Sequence, residues 1–361
     1  MLAYGWVYHM GFFNFYLSLG LCFWALALLW QPNPRRIAAA VPILILAYLA
    51  HALPVAWSAC LVGYLLVAGR LSPRMRAYLI AGSLLAMVLL HAAIGHAMAI
   101  RWSPQQITLT TGVDQLWVFD TKYYVVLVGL LMVWGSLFLH LMHVSGARQV
   151  MSSMAFQFCL ISAAGVFILP TSVLIPGFHH SLVYIAERMS LGVGICVCAM
   201  LASVPARRFE LYGLMAIAAI FFGFLFRDER ALNSFEDRMQ DTVAGLPAGQ
   251  RVISAIVDDP ELRVNALAHI VDRACLGHCY SYANYEPSTA QFRVRAMKEN
   301  PYVAYTYQDS WLMQVGAYVV KPSDLPLYQV DLDVRGQMVL KSLPAGIRSG
   351  ATTFKVLGDA L

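Results

Sequence analysis

From Gly11 to Phe226 the chain is a succession of apolar runs separated by short basic loops, and that pattern leaves few folds open. A bilayer crossing takes about 20 mainly apolar residues. Runs at 11–30, 77–99, 122–142, 151–170, 181–204 and 209–226 meet that need, and the first charged residue is Arg35. Residues 1–226 hold 11 Lys/Arg and 4 Asp/Glu, whereas residues 227–361 hold 14 and 16. Over the whole chain only 12% of residues are charged, against about 25% in soluble proteins. The expected fold is therefore an α-helical polytopic membrane domain, 1–226, followed by a small α/β soluble domain, 227–361.

The stretch 37–69 is too long for one ordinary crossing and short for two. Arg35 and Arg36 precede it, and Arg70, Arg74 and Arg76 follow it. Positive clusters prefer the cytoplasm, so the stretch is expected to go in and return, turning near His51-Ala-Leu-Pro54. Pro54 removes a backbone donor and disfavours helix just before it. One long kinked helix is the alternative, and it would put Arg70, Arg74 and Arg76 outside. Counted as a hairpin, the stretch gives about eight crossings. The N-terminus and loops 100–121 and 171–180 then lie outside, and loops 31–36, 70–76, 143–150 and 205–208 lie inside. The tail from Arg227 becomes periplasmic in a bacterial inner membrane. The net charge of +5 sits mostly in the inside loops, where it sets orientation and carries no sign of a nucleic-acid partner. An outside N-terminus without a signal peptide leads us to expect that a protein partner supplies upstream spans, or that the first helix inserts unaided.

The tail reads differently. Residues 229–244 form an amphipathic helical pattern, 251–257 a β-rich run and 261–275 a helix. Short strands are expected around 302–306, 315–320, 327–332 and 353–357. Within it, Cys275 and Cys279 form CLGHC, for which three readings stay open. A disulfide fits an oxidising compartment, although four residues along a helix is near the geometric limit unless Gly277 relaxes it. A metal site with His278 lacks a second Cys/His pair. Free thiols are the third reading.

No phosphate loop, His-Glu-x-x-His or Gly-x-Ser-x-Gly is present, so any chemistry rests on the few polar residues at membrane depth. These are Asn14, His51, His91, His96, Glu187 and Arg188. His91 and His96 stand about 140° apart on a helix, and no two spans show matched haem-binding histidines; no cofactor and no metal are expected. Arg188, near the outer face, suits a phosphate because its planar fork binds phosphate oxygens bidentately. Helix joining is the alternative role. His179 and His180 stand at the mouth of the same segment, and His9 at the entrance of the first span. The candidate substrate-binding residues are thus Arg188, Glu187, His180, His179, His9 and Asn14.

Four motifs together resemble the C-terminal part of a bacterial GT-C type integral-membrane glycosyltransferase. They are an aromatic segment leading into GFFNFYLSLG, the broken stretch with YLAHALP, the segment LIPGFHHSLVYIAERMSL, and a tail opening LPAGQRVISAI after an amphipathic helix. The resemblance implies membrane lipids and a polyprenyl-phosphate-linked sugar donor as partners, with transfer at the outer face. In that superfamily the catalytic Asp or Glu lies in the first large outside loop, after the first span. No residue here matches that motif, so the catalytic residues are unassigned and the chain is expected to be incomplete and inactive alone. A non-enzymatic subunit or scaffold of an envelope-assembly complex is the alternative.

Overall fold

The computed structural model describes residues 1–175, 181–254, 256–284 and 300–357. It divides into two compact units, Met1–Phe222 and Gly223–Leu361.

In the first unit the apolar runs become helices: α1 (Trp6–His9), α2 (Phe13–Leu29), α3 (Pro34–Ala50), α4 (Ala52–Ala68) and α5 (Pro73–Ala97). Strand β1 (Ala99–Arg101) precedes α6 (Tyr124–Ser145), α7 (Ala147–Ser152) and α8 (Met154–Ile168). Strands β2 (Ser172–Leu174) and β3 (Ser181–Leu182) lead into α9 (Ile185–Leu201), and α10 (Arg208–Ala244) begins here and ends in the second unit. Among the described residues three helical segments are long and apolar enough to cross a membrane, namely Pro73–Ala97, Thr121–Ser145 and Arg208–Ala244. α2, α4 and α8 are shorter apolar helices. No residue of α5 is buried, and Tyr78, Leu85 and Leu89 are all exposed. A bare apolar face of that length is a liability in water and is what lipid covers. The first unit has the build of a polytopic helical membrane protein.

Helix starts follow local chemistry. Asn33 caps α3 by accepting from Arg36 N at 2.9 Å, with Pro34 at the first position, where its missing N–H costs nothing. Ser153 caps α8 by accepting from Phe156 N at 3.3 Å. The stretch 37–69 breaks at His51, the single extended residue between α3 and α4. Its Nδ1 lies 3.2 Å from Leu53 N, and Ser18 Oγ donates to its carbonyl at 2.8 Å. The break falls three residues before Pro54, which sits buried in the first turn of α4. Helix packing joins α2, α4 and α8 through Leu26, Leu61, Leu65, Phe158 and Ile161. Tyr64 Oη donates to Gln157 Oε1 at 2.8 Å across the same interface, so both buried polar groups have a partner.

β1, β2 and β3 form a small antiparallel sheet, with Ile100 opposite Val173 and Val173 opposite Leu182. It ties the segment after α5 to the segment after α8.

The second unit contains β4 (Arg251–Ser254), β5 (Ile256–Asp258), α11 (Ile270–Ala274), β6 (Tyr280–Ser281), α12 (Tyr307–Gln314), β7 (Leu327–Leu332), β8 (Met338–Leu343) and β9 (Thr352–Phe354). The main sheet has the order β6-β4-β7-β8; β6 and β7 flank β4 in parallel, and β8 is antiparallel to β7. β5 pairs in parallel with β9. Val252 and Ile253 are both fully buried although they point to opposite faces, because both faces of the sheet are covered. Phe235, Met239, Ile270 and Val271 pack on one side, and Met313 and Tyr318 on the other.

Several local expectations are corrected here. The helix expected over 261–275 is confined to Ile270–Ala274, since Asp259 and Pro260 start a turn in which Leu262 N donates to Asp259 O at 3.0 Å. The strand expected at 302–306 is irregular chain leading into α12, whose start Thr306 caps by accepting from Asp309 N at 3.0 Å. Residues 315–320 hold only an isolated bridge, Val319 with Arg348. The strand at 327–332 is present as β7. Cys275 and Cys279 form a disulfide with Cα atoms 4.5 Å apart. Cys275 ends α11 and Gly277 has φ +75°, so the bridge spans a turn rather than a helix. That turn brings the Cα atoms into bonding range.

Candidate functional site

The GFFNF motif builds a cage for Arg188. Phe12 ends the N-terminal segment and Phe15 lies in the first turn of α2. The Arg188 guanidinium carbon sits 4.9 Å from the Phe12 ring centre and 5.5 Å from that of Phe15, within cation–π range. Tyr184 and Trp6 close the box, with ring centres 5.5 Å apart, and the His51 ring stands edge-on to Phe15 at 5.5 Å. Tyr184 is the only described non-glycine residue with positive φ, +57°, a conformation that a bulky residue adopts at a cost. It holds its carbonyl where Arg188 N and Nε both donate to it, at 3.0 and 3.1 Å.

Arg188 lies in the first turn of α9, which begins at Ile185 and not at the start of the apolar run 181–204. Only 6% of it is exposed. Nη2 donates to Val183 O at 2.6 Å, and Nη1 approaches His51 Nε2 at 3.2 Å. A guanidinium only donates, so in this contact Nε2 is the acceptor of a neutral ring, which cannot at the same time accept from Leu53 N through Nδ1. Arg188 thus meets two backbone carbonyls and one neutral ring. Among the described residues no carboxylate stands within ion-pair distance of it.

Glu187 turns the other way and accepts from Thr171 Oγ1. Beside it lies a polar knot that sequence reasoning passed over. Gln115 Oε1 accepts from Val7 N at 3.1 Å, and Gln115 Nε2 donates to Glu187 O and Ser190 Oγ, both at 2.8 Å. Ser190 Oγ lies 3.0 Å from Asp114 Oδ2 and 2.9 Å from Glu187 O, and its one proton serves one of them at a time. Asp114, Gln115 and Ser190 are all buried. Gly112 makes the contact between this turn and α9 possible. It has φ +79°, and a Cβ there would stand 2.4 Å from Gly194 N.

The remaining candidates separate. His9 ends α1, its ring 5.3 Å from that of Phe119. Asn14 is exposed, and its Oδ1 accepts from Phe15 N at 2.8 Å. His179 and His180 lie outside the described residues. His91 is structural: its Nδ1 is 2.7 Å from Ile168 O at the end of α8. Among the described residues no group of three or more His, Cys, Asp or Glu is placed to hold a metal.

α2, α6 and α9 also line an apolar cavity of about 620 Å³, with Tyr16, Leu19, Gly20, Trp134, Leu191 and Ile195 on its walls and none of the cage residues among them. Leu19 follows Ser18, which bonds His51, and Leu191 follows Ser190. α2 and α9 therefore contribute residues both to the Arg188 cage and to this apolar cavity.

No protein-family model, no curated protein and no solved structure matches the chain.

Proposed function

We propose that the chain is a glycosyltransferase-like integral membrane protein that binds a polyprenyl-phosphate-linked sugar at the outer face of a bacterial inner membrane. The observation that carries this reading is the burial of Arg188 with two backbone carbonyls and a ring nitrogen as its hydrogen-bond partners and, among the described residues, no carboxylate in direct contact. A buried cation without a carboxylate in direct contact is costly, and a phosphate would complete its shell through the guanidinium N–H groups that no described residue uses. The apolar cavity on the same helices has room for part of an isoprenoid tail. Sugar transfer is the chemistry that such a complex serves.

Contacts within the first unit support this sidedness. Val7 bonds Gln115, the segment after α5 pairs with the segment after α8, and Arg188 at the start of α9 touches the break at His51. These contacts need the N-terminal segment, the α3–α4 break and both loops on one side. An even number of crossings between α1 and β1 satisfies that, which supports α3 and α4 as two crossings. Together with α2, α5, α6, α8, α9 and α10 they make eight. All the basic loops then fall on the opposite side, in keeping with the cytoplasmic preference of positive charge. The Cys275–Cys279 disulfide in the second unit fits an oxidising compartment.

A scaffold subunit is the second reading, favoured by the hydrogen bonds that make Arg188 a clamp between Val183, Tyr184 and His51. Titrating polyprenyl phosphate into the full chain in lipid nanodiscs separates the two. In the substrate reading Arg188→Ala weakens binding by the folded protein roughly ten- to hundredfold, the value of one or two charge-assisted hydrogen bonds. Arg188→Lys recovers part of this, since a point charge does not copy the fork. A lowered melting temperature with unchanged affinity per folded molecule would leave Arg188 as a clamp and end the substrate reading.

A further inference from the structure

The second unit holds a cavity of its own, about 380 Å³, between the N-terminal end of β4, the chain entering α12 and the turn before β7. That volume is in the usual range of small-molecule sites. Its floor is Asp324, only 3% exposed, which accepts from Tyr282 Oη at 2.9 Å, Tyr318 Oη at 2.6 Å and Lys321 N at 2.7 Å. Burial, then the bond to Asp324, push both phenols above their ordinary range, so they stay protonated and hold the carboxylate. Arg251 lies over the Tyr282 ring at 5.4 Å and donates to Ser323 O at 2.9 Å. Lys321 lies over the Tyr318 ring at 5.5 Å and pairs with Asp309 at 2.7 Å.

The described lining carries two cations, Arg251 and Lys321, and two carboxylates, Asp309 and Asp324, a balance that disfavours a ligand carrying net charge. The site nevertheless offers donors (Arg251, Lys321) and an acceptor (Asp309) a short way apart. Tyr305 lines the same cavity and is half exposed. Neighbouring Tyr302, also half exposed, lies tilted against Tyr280 at 4.4 Å between ring centres. A ligand that suits such a site has hydroxyls that both donate and accept, together with an apolar C–H face for an aromatic ring. Those are the two surfaces of a pyranose.

We propose that this cavity is a carbohydrate site for neutral, pyranose-containing glycans, with Tyr305 as the stacking platform and Arg251, Lys321 and Asp309 as the hydroxyl partners. This goes beyond the lipid-phosphate reading of the first unit and does not depend on it. The test uses the full chain in detergent, fluorescently labelled and applied to an array of neutral and anionic glycans. The wild type retains neutral pyranose glycans. Tyr305→Ala and Lys321→Ala each lower the apparent affinity about tenfold, the value of one such contact. Tyr307→Ala, at an exposed tyrosine outside the cavity, leaves it unchanged. Retention of anionic glycans only, of none, or of neutral glycans equally by wild type and the two cavity variants would overturn the assignment.

Discussion

Gly112→Ala is expected to cost the first unit more than any other single methyl group. The added Cβ would stand 2.4 Å from Gly194 N and 2.5 Å from both Gly194 Cα and Ser190 O, all backbone atoms that cannot swing aside. The residue would also have to hold φ +79°, a left-handed conformation that costs an L-residue roughly 1–2 kcal/mol by itself. Overpacking adds about 1–3 kcal/mol, so a loss of about 3 kcal/mol or more is expected, which lowers the melting temperature by roughly 10 °C in a unit of this size. Gly194→Ala is the control. Its Cβ would meet Leu2 Cδ1 at 3.2 Å and Gly112 O at 3.4 Å, and the leucine can move. Melting curves of the two variants in the same detergent should differ widely; equal curves would contradict the close approach of this turn to α9.

The end of α8 is the second sensitive point. A helix leaves its last carbonyls without intrahelical donors, and in a membrane protein water is not there to serve them. Here side chains do so. Gln106 Nε2 lies 2.7 Å from Val166 O and 2.9 Å from Leu169 O. Trp102 Nε1 donates to Phe167 O at 2.7 Å, and His91 Nδ1 reaches Ile168 O at 2.7 Å. A carbonyl only accepts, so the His91 proton is on Nδ1. Gln106→Leu keeps the volume and removes both donors, leaving two buried carbonyls without this side-chain partner at about 1–3 kcal/mol each. Trp102→Phe removes one donor at an exposed site and should cost about 1 kcal/mol. The expected order of melting temperature is wild type, then Trp102→Phe, then Gln106→Leu. A Gln106→Leu protein as stable as wild type would remove the capping role.

The apolar runs were legible because lipid imposes length and composition on any segment that crosses it. α5 and α6 lie within a few residues of the runs 77–99 and 122–142. The break near His51 was legible as well, since Pro54 disfavours continuous helix and the arginines at both ends ask for a return. Arg188 stood out as a charge in an apolar run, but its depth did not. The run 181–204 gave no sign that its first residues form β3 and a strained Tyr184 before α9 begins. The partners of Arg188 were hidden because Phe12, Phe15 and His51 lie more than 130 residues away. Gln106 and Gln115 were missed for the same reason: both sit in a loop with no periodic pattern, and their partners lie 60 or more residues on. In the second unit, YVAYTY at 302–307 alternates like a strand, yet Thr306 caps a helix there and the aromatic residues remain exposed. Pattern reports which residues are apolar; it does not report which neighbour covers them.

The side of the membrane on which the second unit lies is the most direct test, since an outer-face site needs the α3–α4 break, the start of α9 and the tail on the same side. Alkaline phosphatase, active only outside the cytoplasm, is fused after Arg76 and, separately, after Arg230. The eight-crossing arrangement gives a silent fusion at Arg76 and an active one at Arg230. An active fusion at Arg76 would make 37–69 a single kinked crossing, and a silent one at Arg230 would put the second unit and its disulfide in the cytoplasm; either result contradicts a lipid-linked sugar site at the outer face.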